Sequence, residues 1–171
     1  VLLRFDSKGA KHVELDGERI TRLADYVGRF PSVVLSSRDF RLVRDGPGER
    51  RRWLDVTLST SSSAYFQTLR NYHRGLRERN AILKRGGGDA ELDAFEASLV
   101  PAAVELTRLR REALPELSDL LAERYGTISS SREKASLGYK PDLEDADHAT
   151  VAGRYLAGRE RDRVLGSTRR G

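Results

Sequence analysis

A helix-dominated α+β fold is predicted by three features: an amphipathic run beginning at Ser63, a second apolar seam beyond Asp89, and short apolar runs punctuated by turns near the N-terminus. In the first run Tyr65, Leu69, Tyr72, Leu76 and Leu83 keep one face at helical spacing, with Asn80 in the same row. In the second, Leu92, Phe95, Leu99, Ala102, Leu106, Leu109, Ala113, Leu117 and Leu120 repeat at steps of three and four, a coiled-coil-like seam. Gly86-Gly87-Gly88 break the first run, and Asp89 can cap the second. Two helical runs joined by so short a break predict a long antiparallel helical-hairpin arm, roughly 35–50 Å long at ~1.5 Å per residue. Pro101 and Pro115 are expected to kink or split the second helix, because each removes a backbone donor.

Charge follows the same division. Ser36–Arg85 carries twelve Lys/Arg against five acids, a balance of +7 where the whole 171-residue chain has +5. Gly86–Tyr125 carries four Arg against nine acids. A basic helix followed by three glycines and an acidic helix suits pairing within a hairpin.

The remaining elements are read in order. Val1–Phe5 and His12–Leu15 are strands separated by the turn Asp6–Gly9, and Asp16-Gly17 leads to a third strand at Ile20. Arg22–Val27 suits a short helix ended by Gly28, and the β-branched run Pro31–Leu35 a buried strand. Ser36 or Ser37 can cap a short helix over Arg38–Val43, and Pro47 suits the first turn of the next helix. Beyond Tyr125-Gly126, Ala135–Tyr139 is expected to be a strand. The acidic stretch Asp142–Asp147 then opens a helix through Val151, Tyr155, Leu156 and Arg163, and Gly166–Gly171 closes as a turn or strand. Three regions result: 1–60, a β-rich head portion with short helices; 61–126, the hairpin arm; and 127–171, a strand and helix returning to the head.

Composition removes several chemistries. With no cysteine there is neither a disulfide nor a thiolate metal site. No run approaches 18 apolar residues and no basic-then-apolar leader opens the chain, so a soluble, cytoplasmic protein without membrane contact is expected. His12, His73 and His148 are scattered without ligand spacing, so no metal site is expected. Gly86–Gly88 lack the lysine of a phosphate loop and follow a helix, and Leu143-Glu144-Asp145 lacks the strand that would present paired acids to Mg²⁺. The serines have no partnered base. No catalytic residue is assigned, no cofactor is expected to bind this chain alone, and the sequence leaves open whether the protein is an enzyme.

Surface chemistry is more informative. Arg70, Arg74, Arg77 and Lys84 share a helix face roughly 140° from the apolar stripe. A cationic row of this kind tracks phosphates by charge; its alternative is a solvated face partly neutralised by the acidic second helix. Arg50, Arg51 and Arg52 stand near a helix N-terminus, where cations oppose the dipole, so a phosphate or a carboxylate (Asp39, Asp45 or Asp55) is expected beside them. Arg79-Asn80 borders the apolar stripe and suits a structural hydrogen-bonding role. Tyr65 and Tyr72 suit the arm's core better than base stacking.

Several motifs resemble the RecF family, ATPases of the ABC/SMC type. Leu42-Val43 followed by Pro47-Gly48-Glu49-Arg50-Arg51-Arg52-Trp53-Leu54-Asp55 is similar to the family's Leu-Val…Pro-x-x-Arg-Arg-x-Phe-Leu-Asp segment. Tyr65, Leu69, Tyr72, Leu76 and Arg79-Asn80-Ala81-Ile82-Leu83-Lys84 resemble its Tyr…Leu…Tyr…Leu…Arg-Asn-x-Leu-Leu-Lys helix. Leu137-Gly138-Tyr139 stands where the family has a Leu-x-Tyr strand, and Gly166-Ser167-Thr168-Arg169-Arg170-Gly171 resembles Gly-x-Thr-x-x-Gly. Departures are Leu35-Ser36-Ser37-Arg38-Asp39 in place of Phe-x-Pro-Glu-Asp, Trp53 in place of Phe, and Glu78 in place of Gln.

The resemblance implies a central segment of a longer protein: part of an ATPase head's small sheet plus the helical arm, with the phosphate loop before it and the Mg²⁺-binding acids after it. It also implies what the intact protein does. That protein would be a weak DNA-dependent ATPase that takes ATP and Mg, dimerises on ATP, binds DNA at gaps and junctions, and with RecO and RecR helps load RecA. DNA-binding candidates are then Arg70, Arg74, Arg77 and Lys84, with Arg50, Arg51, Asp55, Arg79 and Asn80 as motif residues without an assigned role. The other reading is a helical-arm protein-interaction module that makes no direct DNA contact.

Overall fold

The computed structural model describes residues 2–7, 9–21, 27–29, 32–129, 133–142 and 147–169. The chain divides into two units, Val1–Phe66 and Gln67–Gly171, and no helix of the described residues is long and apolar enough to cross a membrane.

In the first unit, turn chemistry organises three short strands. β1 (Leu2–Phe5), β2 (Lys11–Leu15) and β3 (Glu18–Ile20) form an antiparallel meander in that order. Asp16 and Gly17 both take positive φ (51° and 88°), the backbone a two-residue hairpin needs. Val13 pairs with Leu3 on one side and Ile20 on the other and is buried. Ser36 caps a 3-10 turn (Ser37–Phe40) in a reciprocal box with Asp39, and α1 (Arg41–Arg44) continues it. α2 (Pro47–Ser61) opens on Pro47 as expected and buries Leu54, Leu58 and Ser59. Gly28 is required where it stands: φ is +84°, and a Cβ there would lie 2.5 Å from the Thr60 carbonyl oxygen. The short helix expected over Arg22–Val27 falls mostly outside the described residues. The expected buried strand at Pro31–Leu35 is not found. Residues 32–35 belong to no strand, and Val33, Val34 and Leu35 are exposed. A β-branched run becomes a strand only when it pairs, and among the described residues 32–35 pair with neither edge of the sheet.

α3 (Ser63–Lys84) and α4 (Asp89–Ile128) are the two long helices. At ~1.5 Å per residue they measure about 33 and 60 Å, so α3 limits the paired length. The reversal uses Gly86 at φ 72°, and Arg85 pairs with Glu91 across it at 2.7 Å. Contacts run in antiparallel register. Ile82 and Leu83 pack with Leu92 and Phe95, Arg79 meets Glu96, and Gly75 lies against Leu99. A Cβ on Gly75 would come within 3.2 Å of the Leu99 Cβ and 3.4 Å of its Cα, so the absent side chain sets how closely the helices approach. Leu99, Leu106 and Tyr72 are buried, while Leu76 is half-buried. Of the kink or split expected at Pro101 and Pro115, the split does not occur, since α4 runs through both. Each proline costs about 3 kcal/mol inside a helix, but Leu99, Val100, Leu106 and Leu114 bury the flanking turns and hold the helix continuous.

Ala135–Tyr139 is not a strand either. Its apolar residues do alternate, with Ala135, Leu137 and Tyr139 half-buried between exposed neighbours, but the segment has no sheet partner. The Leu137 N–H donates instead to the Ser118 hydroxyl of α4 at 3.1 Å. α5 (His148–Leu165) starts at Asp147, whose carboxylate accepts the Thr150 N–H at 2.7 Å, and stops at Gly166 in the left-handed region. Its buried row is Val151, Tyr155, Arg159 and Asp162. The helix runs through Val151, Tyr155, Leu156 and Arg163 as expected; Leu156 lies one position off the buried row and is 59% exposed. α5 packs on α4, so this end of the hairpin is three helices thick.

Two substitutions test the packing. Gly75→Val should destabilise the chain by ~1–3 kcal/mol in urea titration, because the added groups meet Leu99 backbone as well as side chain. Leu99→Ala should cost ~2–5 kcal/mol and Leu76→Ala clearly less. Equal losses at Leu76 and Leu99 would reject this register.

Candidate nucleic-acid interface and the buried arginine cluster behind it

α3 presents two faces of opposite character. On the inner face stands Arg79, with 0% of its surface exposed. An unpaired guanidinium there would be prohibitively costly, so every direction of its fork is occupied. Nε donates to Glu96 Oε1 at 2.8 Å, Nη1 to Asp162 Oδ2 at 2.9 Å and Thr168 Oγ1 at 2.7 Å, and Nη2 to the Tyr155 carbonyl at 3.4 Å. The Tyr155 ring lies beneath the guanidinium, 5.1 Å from its carbon. Burial, with the Tyr72 hydroxyl nearby, pushes the Tyr155 phenol well above its usual range.

A second buried arginine shares the same acid. Arg159 Nη2 donates to Glu96 Oε2 and Asp93 Oδ1, both at 2.5 Å, and Nη1 reaches Asp89 Oδ1 at 3.4 Å. The bond to Glu96 contributes most to raising the Arg159 pKa. Arg163 donates to the same Asp89 oxygen at 2.5 Å, and chiefly through that bond holds the Asp89 carboxyl below its usual value. Two buried cations thus meet two buried anions, Glu96 and Asp162, with Asp89 and Asp93 at the rim. Beside them, Asn80 Oδ1 accepts both the Thr168 N–H (2.8 Å) and its hydroxyl (2.7 Å). Arg79-Asn80 therefore makes structural hydrogen bonds, as its place beside the apolar stripe suggested. Glu96, Arg159 and Asp162 were not anticipated. Their signal was position: each falls on an apolar row, Glu96 four residues after Leu92 and Arg159 four after Tyr155.

The outer face carries Arg70, Arg74, Arg77 and Lys84, all exposed. From Arg70 to Lys84 the row is about 21 Å long. Arg70 reaches Gln67 Oε1 at 3.5 Å. Among the described residues Arg74, Arg77 and Lys84 make no ion pair, and the α4 acids from Asp89 to Glu112 are engaged elsewhere. Glu91 pairs with Arg85, Glu105 and Glu112 with Arg108, and Asp89 and Asp93 with the arginines of α5. Neutralisation of the row by the acidic helix is thus not what the side chains do. Tyr65 and Tyr72 are buried and unavailable for stacking on bases.

In the first unit, Arg50 is a structural residue. Its Nη1 donates to the carbonyls of Leu42 (3.2 Å) and Asp45 (2.9 Å), closing the C-terminal end of α1. The carboxylate expected for Arg50 is replaced by these carbonyls: Asp39 is committed to the Ser36 cap and Asp55 accepts the Tyr65 hydroxyl. Arg51 and Arg52 are exposed. The three glycines offer no phosphate cradle, since a Cβ on Gly87 would meet Glu91 Oε2 at 2.4 Å and Ile82 at 2.5 Å. Among the described residues no group of three acids or histidines could hold a metal ion.

No protein-family model matches the chain. The DNA replication and repair protein RecF of Synechococcus sp. (strain JA-2-3B'a(2-13)) is 35% identical over 148 residues, covering 84% of this chain and 39% of that protein. RecF of Geobacter metallireducens is 35% identical over 140 residues (82% and 38%), and RecF of Parabacteroides distasonis 32% over 162 (94% and 44%). The chain belongs to the RecF family. It spans about two fifths of the length of these curated RecF proteins. The recombination mediator protein RecF of the RecFOR pathway, solved with ATPγS, superimposes with a TM-score of 0.86 at 23% identity, over 99% of this chain and 48% of that one. Its ATP-bound form gives 0.82 at 25% identity with the same coverage. The helix-dominated architecture with a small antiparallel sheet is that of part of RecF.

The buried cluster makes its own prediction. Arg79→Met leaves Glu96 with Arg159 alone and takes from the buried Asp162 its 2.9 Å partner, and should cost ~3–5 kcal/mol in urea unfolding. Arg79→Lys should recover little of this, because an ammonium cannot serve a forked set of acceptors. Arg77→Gln should leave the midpoint unchanged. A Lys variant as stable as the parent would show that charge alone, not the fork, is what the core requires.

Proposed function

We propose that this chain is the central, DNA-contacting segment of a RecF-type repair protein, with the outer face of α3 resting on the phosphate backbone. The observation that carries this reading is the row Arg70, Arg74, Arg77 and Lys84: exposed, on a rigid helix, and with its last three members not neutralised by the neighbouring acids. Such a row neutralises phosphates and releases counterions without reading bases. Membership of the RecF family supports the wider setting. The intact protein would bind gaps and junctions in an ATP-dependent manner, as a homodimer, and assist RecA loading with RecO and RecR. ATP and Mg²⁺ would be held by parts of that protein other than the residues described above.

The triple variant Arg74, Arg77, Lys84→Gln keeps side-chain length and polarity while deleting three charges. For the chain binding labelled duplex DNA, the log–log slope of affinity against salt should shrink by roughly 0.9 per lost contact, about 2.7 in all. The loss should be equal on unrelated sequences. An unchanged affinity and slope would reject the row as a DNA contact and favour the arm as a protein-docking element. By the same reading the chain alone should release no phosphate from ATP. Turnover abolished by a point change within the chain would overturn that assignment.

A further inference from the structure

The turn after α5 is held differently from the rest of the buried cluster. Asp162 grips its backbone, the carbonyl accepting the Ser167 N–H at 3.1 Å and Oδ1 the Arg169 N–H at 3.4 Å. The Thr168 side chain reaches α3. Its hydroxyl donates to Asn80 Oδ1 and accepts from Arg79 Nη1, and its own N–H goes to the same Asn80 oxygen. The geometry is therefore directional. Asn80 must present its oxygen, and position 168 must supply both an N–H and a hydroxyl.

Two kinds of bond meet at this point. Arg79 is charge-balanced by Glu96 and Asp162 whether or not Thr168 is present. Withdrawing either acid would strand a buried cation, but withdrawing Thr168 removes only bonds to a neutral hydroxyl and an amide. Thr168 is also half-exposed, so water can take its place. Gly166, in the left-handed region at φ 61°, provides the reversal that brings the turn back over α3, where Lys84 lies beside it.

We propose that Asn80 and Arg79 form a latch for Thr168: residues 166–169 dock on α3 or release as one unit, while the Arg79–Glu96–Asp162 pairs stay closed in both states. The latch does not depend on DNA binding by the cationic row.

Amide hydrogen exchange on the full chain, with Thr168→Val and Thr168→Ser, tests the latch. Val preserves shape and deletes the hydroxyl; Ser retains it. Exchange at the 168 amide should rise about tenfold in the Val variant and stay near the parent rate in the Ser variant, with α3 and α4 amides around Arg79 and Glu96 unchanged in both. Asn80→Ala should reproduce the Val result. If that variant does not fold, the Val and Ser pair decides alone. Equal protection at position 168 in the parent and the Val variant would overturn the latch. So would faster exchange throughout α3, α4 and α5 together, which would make the turn an inseparable part of the core.

Discussion

Burying the Arg79 guanidinium is the constraint on which the second unit depends. A cation with no access to water must find anions in fixed directions, and the chain supplies them from two other helices, Glu96 of α4 and Asp162 of α5. Apolar packing by Ile82, Leu83, Leu92 and Leu99 drives the helices together but tolerates small slides. The forked bonds do not. A shift of α5 by one turn along α4 would separate Arg159 from Glu96 and Asp162 from Arg79 at once. Hydrophobic burial thus supplies the attraction in this bundle, and the charged cluster selects one register.

The same helix serves both interior and surface because its two faces are assigned by phase alone. Tyr72, Gly75, Arg79, Ile82 and Leu83 turn inward; Arg70, Arg74, Arg77 and Lys84 turn out. Arginines appear on both sides, and their surroundings decide what each can do. Arg79 is fully buried, and each of its three nitrogens already has a protein acceptor. Arg74 and Arg77 keep their donors in solvent, where a phosphate can take them. Acids elsewhere on the hairpin are drawn to other arginines, which leaves the outer row its charge.

Much of the helical unit was legible from periodicity. The start and stop of α3, the glycine turn and the first part of the α4 seam (Leu92, Leu99, Leu106) follow from residues three and four apart and from what Gly86–Gly88 cannot sustain; beyond Leu106 the expected row is lost, with Leu114 buried and Leu120 exposed. The outer row was legible for the same reason, since a surface stripe needs only a helix and its phase. Strands fared worse. Residues 32–35 and 135–139 have the right composition or alternation, but a strand is defined by a partner, and pattern does not show whether one is present. The charged core was harder still. Residue type places Glu96, Arg159 and Asp162 on the surface; only their coincidence with apolar rows places them inside. Pro101 and Pro115 do not split α4, because the cost of a local breaker is offset when neighbouring turns of the helix are buried.

The shortness of the reversal between α3 and α4 bears on how the unit comes together. Only four residues, 85–88, separate the two helices, so Ile82 meets Leu92 across ten positions of chain and the loop entropy of closing them is small. Tyr155 and Asp162 come to Arg79 across 76 and 83 positions. Closure over such separations is slower and opposed by more entropy. A hairpin closed before α5 arrives would hold Arg79 against Glu96 through Nε alone, with both Nη groups facing water. The last helix to dock is therefore the one that seals the cation, and apolar contacts made early leave room for a charge that only the finished bundle can satisfy.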